Sequence, residues 1–119
     1  MTYVDGFVLP VKKRQLATYR SMAKQAGKVW REHGALEFHE CVGDDVPHGK
    51  RTSFPRSVKL KRGEIVVFSY IVYRSRADRD RVMAKVMKDK RIDAMMKSKK
   101  VPFDGKRMIF GGFKTMVSA

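Results

Sequence analysis

The sequence predicts an α+β fold in the order βαββαβ, a four-stranded antiparallel sheet with both helices on one face. Three observations predict it. Two stretches, Lys12 to His33 and Ser75 to about Asp89, carry apolar residues at helical spacing. Between them, Glu64 to Tyr73 is apolar on both of its alternating sets, as a central strand covered on two sides must be. Right-handed crossovers then leave the first and third strands in the middle of the sheet.

Each element follows from its residues. Tyr3 to Val11 reads as a strand from its Val and Phe content. The helix after it carries a stripe of Leu16, Tyr19, Ala23, Ala26 and Trp30, with Lys12, Lys13, Arg14, Arg20, Lys24, Lys28 and Arg31 on its wet side. Gly34 stops it. Ala35 to Val42 alternates Leu36, Phe38 and Val42 against Glu37, His39 and Cys41, with Glu40 the exception in the apolar set. Gly43 to Arg62 holds turn residues and two prolines without a lasting period, an irregular connection or hairpin arm. Glu64 to Tyr73 divides into Val66, Phe68, Tyr70 and Val72 on one face and Ile65, Val67, Ile71 and Tyr73 on the other. Ser75 caps the second helix with Asp78 three residues on, and Val82, Val86, Met83 and Met87 form its stripe. A further turn is expected over Arg91 to Lys97. Asp104-Gly105 then leads into a last strand, Lys106 to Val117, in which Gly111-Gly112 is expected to mark a bulge or, less commonly, a place where a partner backbone or ligand comes close.

Composition bounds the function. The 119 residues make one domain, residues 1–119, with 27 Lys+Arg against 12 Asp+Glu and a formal charge of +15. An unfolded surface of roughly 20,000 Å² shrinks to about 6,600 Å² in a compact chain of this mass, enough burial for a core without staples. Cys41 stands alone, which excludes an internal disulfide and a multi-cysteine zinc site. Ile65 to Tyr73, the longest mainly apolar run, is far short of the ~20 residues of a membrane helix. With no secretory pattern at its start, the chain is expected in the cytoplasm, with no membrane partner.

Two helices cover only one side of such a sheet, yet the third strand is apolar on both, and Tyr3, Phe7, Phe68 and Tyr70 add rings that need cover. A second copy of the sheet would close the bare face and give a homodimer with an enclosed interior. The alternative is an RNA-binding module. Phe68-Ser69-Tyr70-Ile71-Val72-Tyr73 imitates the aromatic core of the RNA-recognition-motif signature on the correct strand. Val66-Val67 replaces its Lys/Arg-Gly, so rings packed in a core or interface are the simpler reading.

Several strings resemble the YbaA-like family of uncharacterised bacterial proteins over nearly the whole chain. They are Tyr3-Val4-Asp5-Gly6-Phe7-Val8, Trp30-Arg31-Glu32-His33-Gly34-Ala35-Leu36-Glu37, Glu40-Cys41-Val42-Gly43-Asp44-Asp45, Thr52-Ser53-Phe54-Pro55 and Pro102-Phe103-Asp104-Gly105-Lys106-Arg107-Met108. The resemblance implies a ferredoxin-like subunit of a dimeric α+β barrel. It implies no reaction, and the +15 charge is more basic than it leads one to expect.

Within a barrel, Glu37, His39 and Cys41 would face the interior between subunits. His39 is the candidate for proton transfer, its ordinary pKa of about 6.5 suiting acid-base work, with Glu37 or Asp5 to orient it. Tyr3, Asp5 and Tyr70 are the expected ligand contacts, with Phe54 as a lid and Arg107 as an anion contact. The ligand is expected to be a small, polar-aromatic molecule. The competing reading is a half-solvated strand with ordinary polar residues. Alternate positions of one strand cannot easily surround an ion, so no metal is expected, and no cofactor. Gly43 to Lys50 fails as a phosphate loop because its glycine spacing is wrong and Arg51 stands where Ser/Thr is needed.

The excess charge concentrates in two segments. His48 to Arg62 holds six Lys/Arg and no acid, and Arg74 to Lys100 eleven against four acids. Such density attracts nucleic acid non-specifically whether or not that is its task.

Overall fold

The computed structural model describes residues 1–98 and 101–119. Strand β1 spans Tyr3–Lys12, a 3-10 turn Lys13–Gln15, helix α1 Leu16–Glu32, β2 Glu37–Val42, the short α2 Phe54–Ser57, β3 Glu64–Tyr73, α3 Arg76–Met87, α4 Lys90–Lys97 and β4 Ile109–Lys114. All strand pairs are antiparallel in the order β2-β3-β1-β4, so β1 and β3 are central as the sequence implies.

Local chemistry explains the boundaries. β1 outruns its expected end because Lys12 pairs with Glu64 on β3. Gly34, at φ 119°, ends α1 in a conformation that side chains resist. Ser75 Oγ accepts the Asp78 amide and starts α3, while Asp89 Oδ1 accepts the Arg91 amide and starts α4. Inside the long connection, Ser53 Oγ accepts from Arg56 N and Pro55 sits in the first turn of α2.

The last strand is shorter than expected. Asp104 holds Lys106 N and the Arg107 guanidinium in the turn that precedes it, so β4 begins at Ile109. Gly111 and Gly112 pair in register with Gly6 and Asp5, so the expected bulge is absent. The close-approach role of glycine applies instead: a Cβ on Gly112 would run into the Tyr3 phenol.

Strand parity sorts the side chains. On one face Leu9, Val11, Val67, Ile71 and Tyr73 pack under α1, α3 and α4 with Val29, Val82, Val86 and Ile92. Tyr73 and Val11 are fully buried there. Met87, expected on the α3 stripe, is exposed, whereas Ile92 of α4 lies in the core with Met95 packed against it. The other face has a partial cover. Val58, from the connection that carries α2, seals Val8 and Val66 at one end and Val72 is only 9% exposed, but Phe68, Ile109 and Phe113 stand in the open.

Candidate functional site

The sheet divides the seven sequence candidates between its two sides. Glu37, His39 and Tyr70 share the open face: His39 lies opposite Tyr70 in the β2–β3 register, and their rings stand 4.8 Å apart. His39 Nε2 and Glu37 Oε1 are 3.1 Å apart, within hydrogen-bond reach across two positions of the strand. Both are about half exposed. Phe68 continues the row beyond Tyr70, and Phe54 of α2 stands edge-on against it at 5.9 Å. Together these make an aromatic wall with one imidazole-carboxylate pair beside it.

Tyr3 and Asp5 are elsewhere. They point to the helix side, and β3 separates β1 from β2, so Asp5 does not orient His39. Phe7 also faces the helices, packing in the covered core rather than on the bare face. Asp5 Oδ1 is 2.6 Å from Arg79 Nη1, and the same guanidinium lies over the Tyr3 ring. Burial raises the Asp5 carboxyl above its ordinary pKa against the opposing pull of Arg79. Tyr73, whose hydroxyl accepts from Trp30 Nε1 at 3.2 Å, is pushed up by the same burial and by Asp5. This cluster ends a cavity of about 430 Å³ between α3 and β4, floored by Phe7, Phe110 and the two glycines.

Arg107 is not a free anion contact. Its guanidinium grips both oxygens of Glu64 at 2.8 and 2.6 Å, Asp104 at 2.9 Å and the Lys59 carbonyl at 3.1 Å. Those bonds fasten the long connection to the start of β4. They hold the Glu64 carboxyl below its usual range.

Sequence reasoning passed over one pair. Tyr19 of α1 donates to Glu40 Oε1 at 2.6 Å across the helix-sheet junction. Partial removal from water raises the Glu40 pKa although the tyrosine bond lowers it. The signal was present: Glu40 is the acid among apolar neighbours, and Tyr19 the hydroxyl on an apolar stripe. Among the described residues, no three His, Cys, Asp or Glu side chains are grouped to hold a metal ion, and no helix is long and apolar enough to cross a membrane.

Comparisons with known proteins agree on the fold. The family described as "Protein of unknown function (DUF1428)" matches residues 2–105. The Escherichia coli K12 protein YbaA, itself described as uncharacterized, is 46% identical over 117 residues, 98% of each chain. Among solved structures, a NIPSNAP family protein from Agrobacterium tumefaciens superposes with a TM-score of 0.63 at 14% identity, covering 96% of this chain and 92% of that one. A dimeric ferredoxin-like protein from an uncultured marine organism gives 0.62 at 10% identity, with all of both chains covered. At such identities the likeness shows the fold: this chain is an α+β protein of the ferredoxin-like type.

Proposed function

The chain belongs to the DUF1428 family and is a relative of YbaA, and from that premise we propose that it works as a homodimeric α+β barrel holding a small molecule inside. The bare sheet face carries the reading. Phe68, Ile109 and Phe113 are 40%, 45% and 63% exposed on it, although they alternate correctly for a buried layer. The accessible area is 8677 Å², against about 6,600 Å² for a compact monomer of this mass. The molecule is a slab 21 Å thin, the shape of one half of a closed pair of sheets. Its structural neighbour described as dimeric supports the same arrangement.

Closing the face would put Glu37, His39 and Tyr70 in a sheltered space beside the Phe54–Phe68 wall. A flat, polar-aromatic ligand suits that wall, with His39 and Glu37 to exchange a proton or a hydrogen bond with its polar group. Whether a bond is then made or broken depends on the ligand.

The test is solution mass. Wild-type protein at micromolar concentration should run as a dimer in native mass spectrometry, and Phe68→Asp and Phe113→Asp should each give monomers with unchanged far-UV spectra. A monomeric wild type defeats the reading and returns the rings to the RNA-binding alternative. For the interior site, phenols and aryl carboxylates that raise the wild-type melting temperature should fail to raise that of His39→Gln, and an equal response from both removes His39 from the site.

A further inference from the structure

On the far side of the sheet from that interior, α1 and the edge strand β2 leave an open groove of about 580 Å³. Its floor is apolar, with Leu16, Ala23, Phe38, Val42 and Val67 among its lining residues. Gly27 makes the groove possible. A Cβ there would press into the Phe38 ring at 2.8 Å, so only glycine lets the ring lie flat against the helix. The floor's polar feature is the Tyr19–Glu40 pair, in which the tyrosine uses Oε1 and leaves Oε2 for another donor.

The rim is of one sign. Arg20, Lys24, Lys28 and Arg31 recur along the exposed flank of α1 at steps of three and four, so they stand in one row beside the groove. Among the described residues, no carboxylate lies within ion-pair distance of Arg20, Lys24 or Lys28, whereas Arg79, Arg91 and Arg107 all have acidic partners. Lys28 feels the Glu32 carboxylate one turn on, but none of these three cations is tied up in an ion pair, and such a row above an apolar floor is complementary to a molecule with an anionic head and an apolar body.

We propose that the α1–β2 groove is a second binding site, for an amphipathic anion of the acyl or aryl carboxylate, sulfonate or phosphate type. The head lies on Lys24 and Lys28, the body on Phe38 and Val42, and a hydroxyl or amide N–H on the body donates to Glu40. The site needs no partner subunit. Its success or failure is therefore separate from that of the dimer.

The probe is 8-anilinonaphthalene-1-sulfonate, which brightens on leaving water, set against its uncharged analogue N-phenyl-1-naphthylamine. The wild type should bind one sulfonate probe per chain and bind the uncharged analogue more weakly. Lys24→Glu with Lys28→Glu should weaken the sulfonate about tenfold, in line with reversing two exposed charges. Val42→Trp, a change at a half-exposed position that fills the groove without entering the core, should abolish binding with the far-UV spectrum unchanged. Phe68→Asp should leave it intact. Binding that survives Val42→Trp and the double charge reversal but is lost in Phe68→Asp overturns the proposal and assigns the probe to the sheet face.

Discussion

The two faces of the sheet come from the same alternating strands and end in opposite conditions. Under the helices, Tyr73, Val11 and Val67 are 0 to 2% exposed, and every buried polar side-chain atom described has a hydrogen-bond partner. On the other side, Val8, Val66 and Val72 are covered, but Phe68, Ile109 and Phe113 are 40 to 63% exposed. The difference shows that β-patterning decides which residues share a face, whereas the availability of a second layer decides whether that face is a core. One layer comes from the chain's own helices. In the proposed dimer a second copy of the chain would supply the other.

Removing a ring from the covered face should do the most damage. Tyr73→Ala deletes a fully buried side chain and strips Trp30 Nε1 of its acceptor. A loss of about 4 kcal/mol in chemical denaturation is expected. A loss under about 1 kcal/mol would mean that the helix layer is loosely packed and that the contrast between faces is smaller than drawn.

Arg107→Met comes next. It leaves the buried Glu64 carboxylate without its ion-pair partner, holding only the Lys61 amide, and releases the Lys59 carbonyl, which should lower stability by about 3 kcal/mol at neutral pH. The pH dependence identifies the cause. With Arg107 present, the native Glu64 carboxyl has a lower pKa than in the unfolded chain, so its contribution is complete above the unfolded value of about 4.3 and lost as pH falls through the native one. Without the arginine the largest part of that contribution is gone, leaving only the smaller effect of Lys61, so the gap between wild type and variant should narrow in acid. A gap that stays constant from pH 7 to about pH 3 would assign the damage to lost packing of the Arg107 stem rather than to the charge.

Most of the fold was legible because it depends on periodicity. The double-sided apolar run at 64–73 had to be central, and Glu37, His39 and Cys41 had to share a face opposite Phe38. The candidate site was less legible because residues join it across strands. Asp5 and Tyr3 have the right chemistry and the wrong parity, a matter of which residues of β1 lie beside which of β3. Arg107 reads as a surplus cation until Glu64, 43 positions away, is found beneath it. The Tyr19–Glu40 contact likewise depends on how closely α1 approaches β2, and Gly27 sets that distance.

On the bare face the same kind of change should matter far less to the single chain. Phe113→Ser removes a ring that is 63% exposed, so the stability of the isolated subunit should move by less than about 1 kcal/mol. In the proposed dimer its effect belongs to association. A large loss of subunit stability at concentrations where the wild type has dissociated would show that the ring is already packed within one chain.

Gly27→Ala should have the smallest effect on stability and still be informative. Gly27 is buried against Phe38, where alanine's helix propensity still favours it over glycine by about 1 kcal/mol, while an added methyl in a filled space costs about 1 to 3 kcal/mol. Here the methyl meets the Phe38 ring, whose other side is the open groove, so the ring can swing away and most of the clash is relieved. The two terms nearly cancel, and the melting temperature should shift by no more than a few degrees. The displaced ring would occupy the floor of the groove, so sulfonate-probe affinity should fall while stability holds. If stability falls sharply instead, Phe38 is locked between Gly27 and Trp30 as part of the core, and the edge of the covered face is as tightly built as its centre.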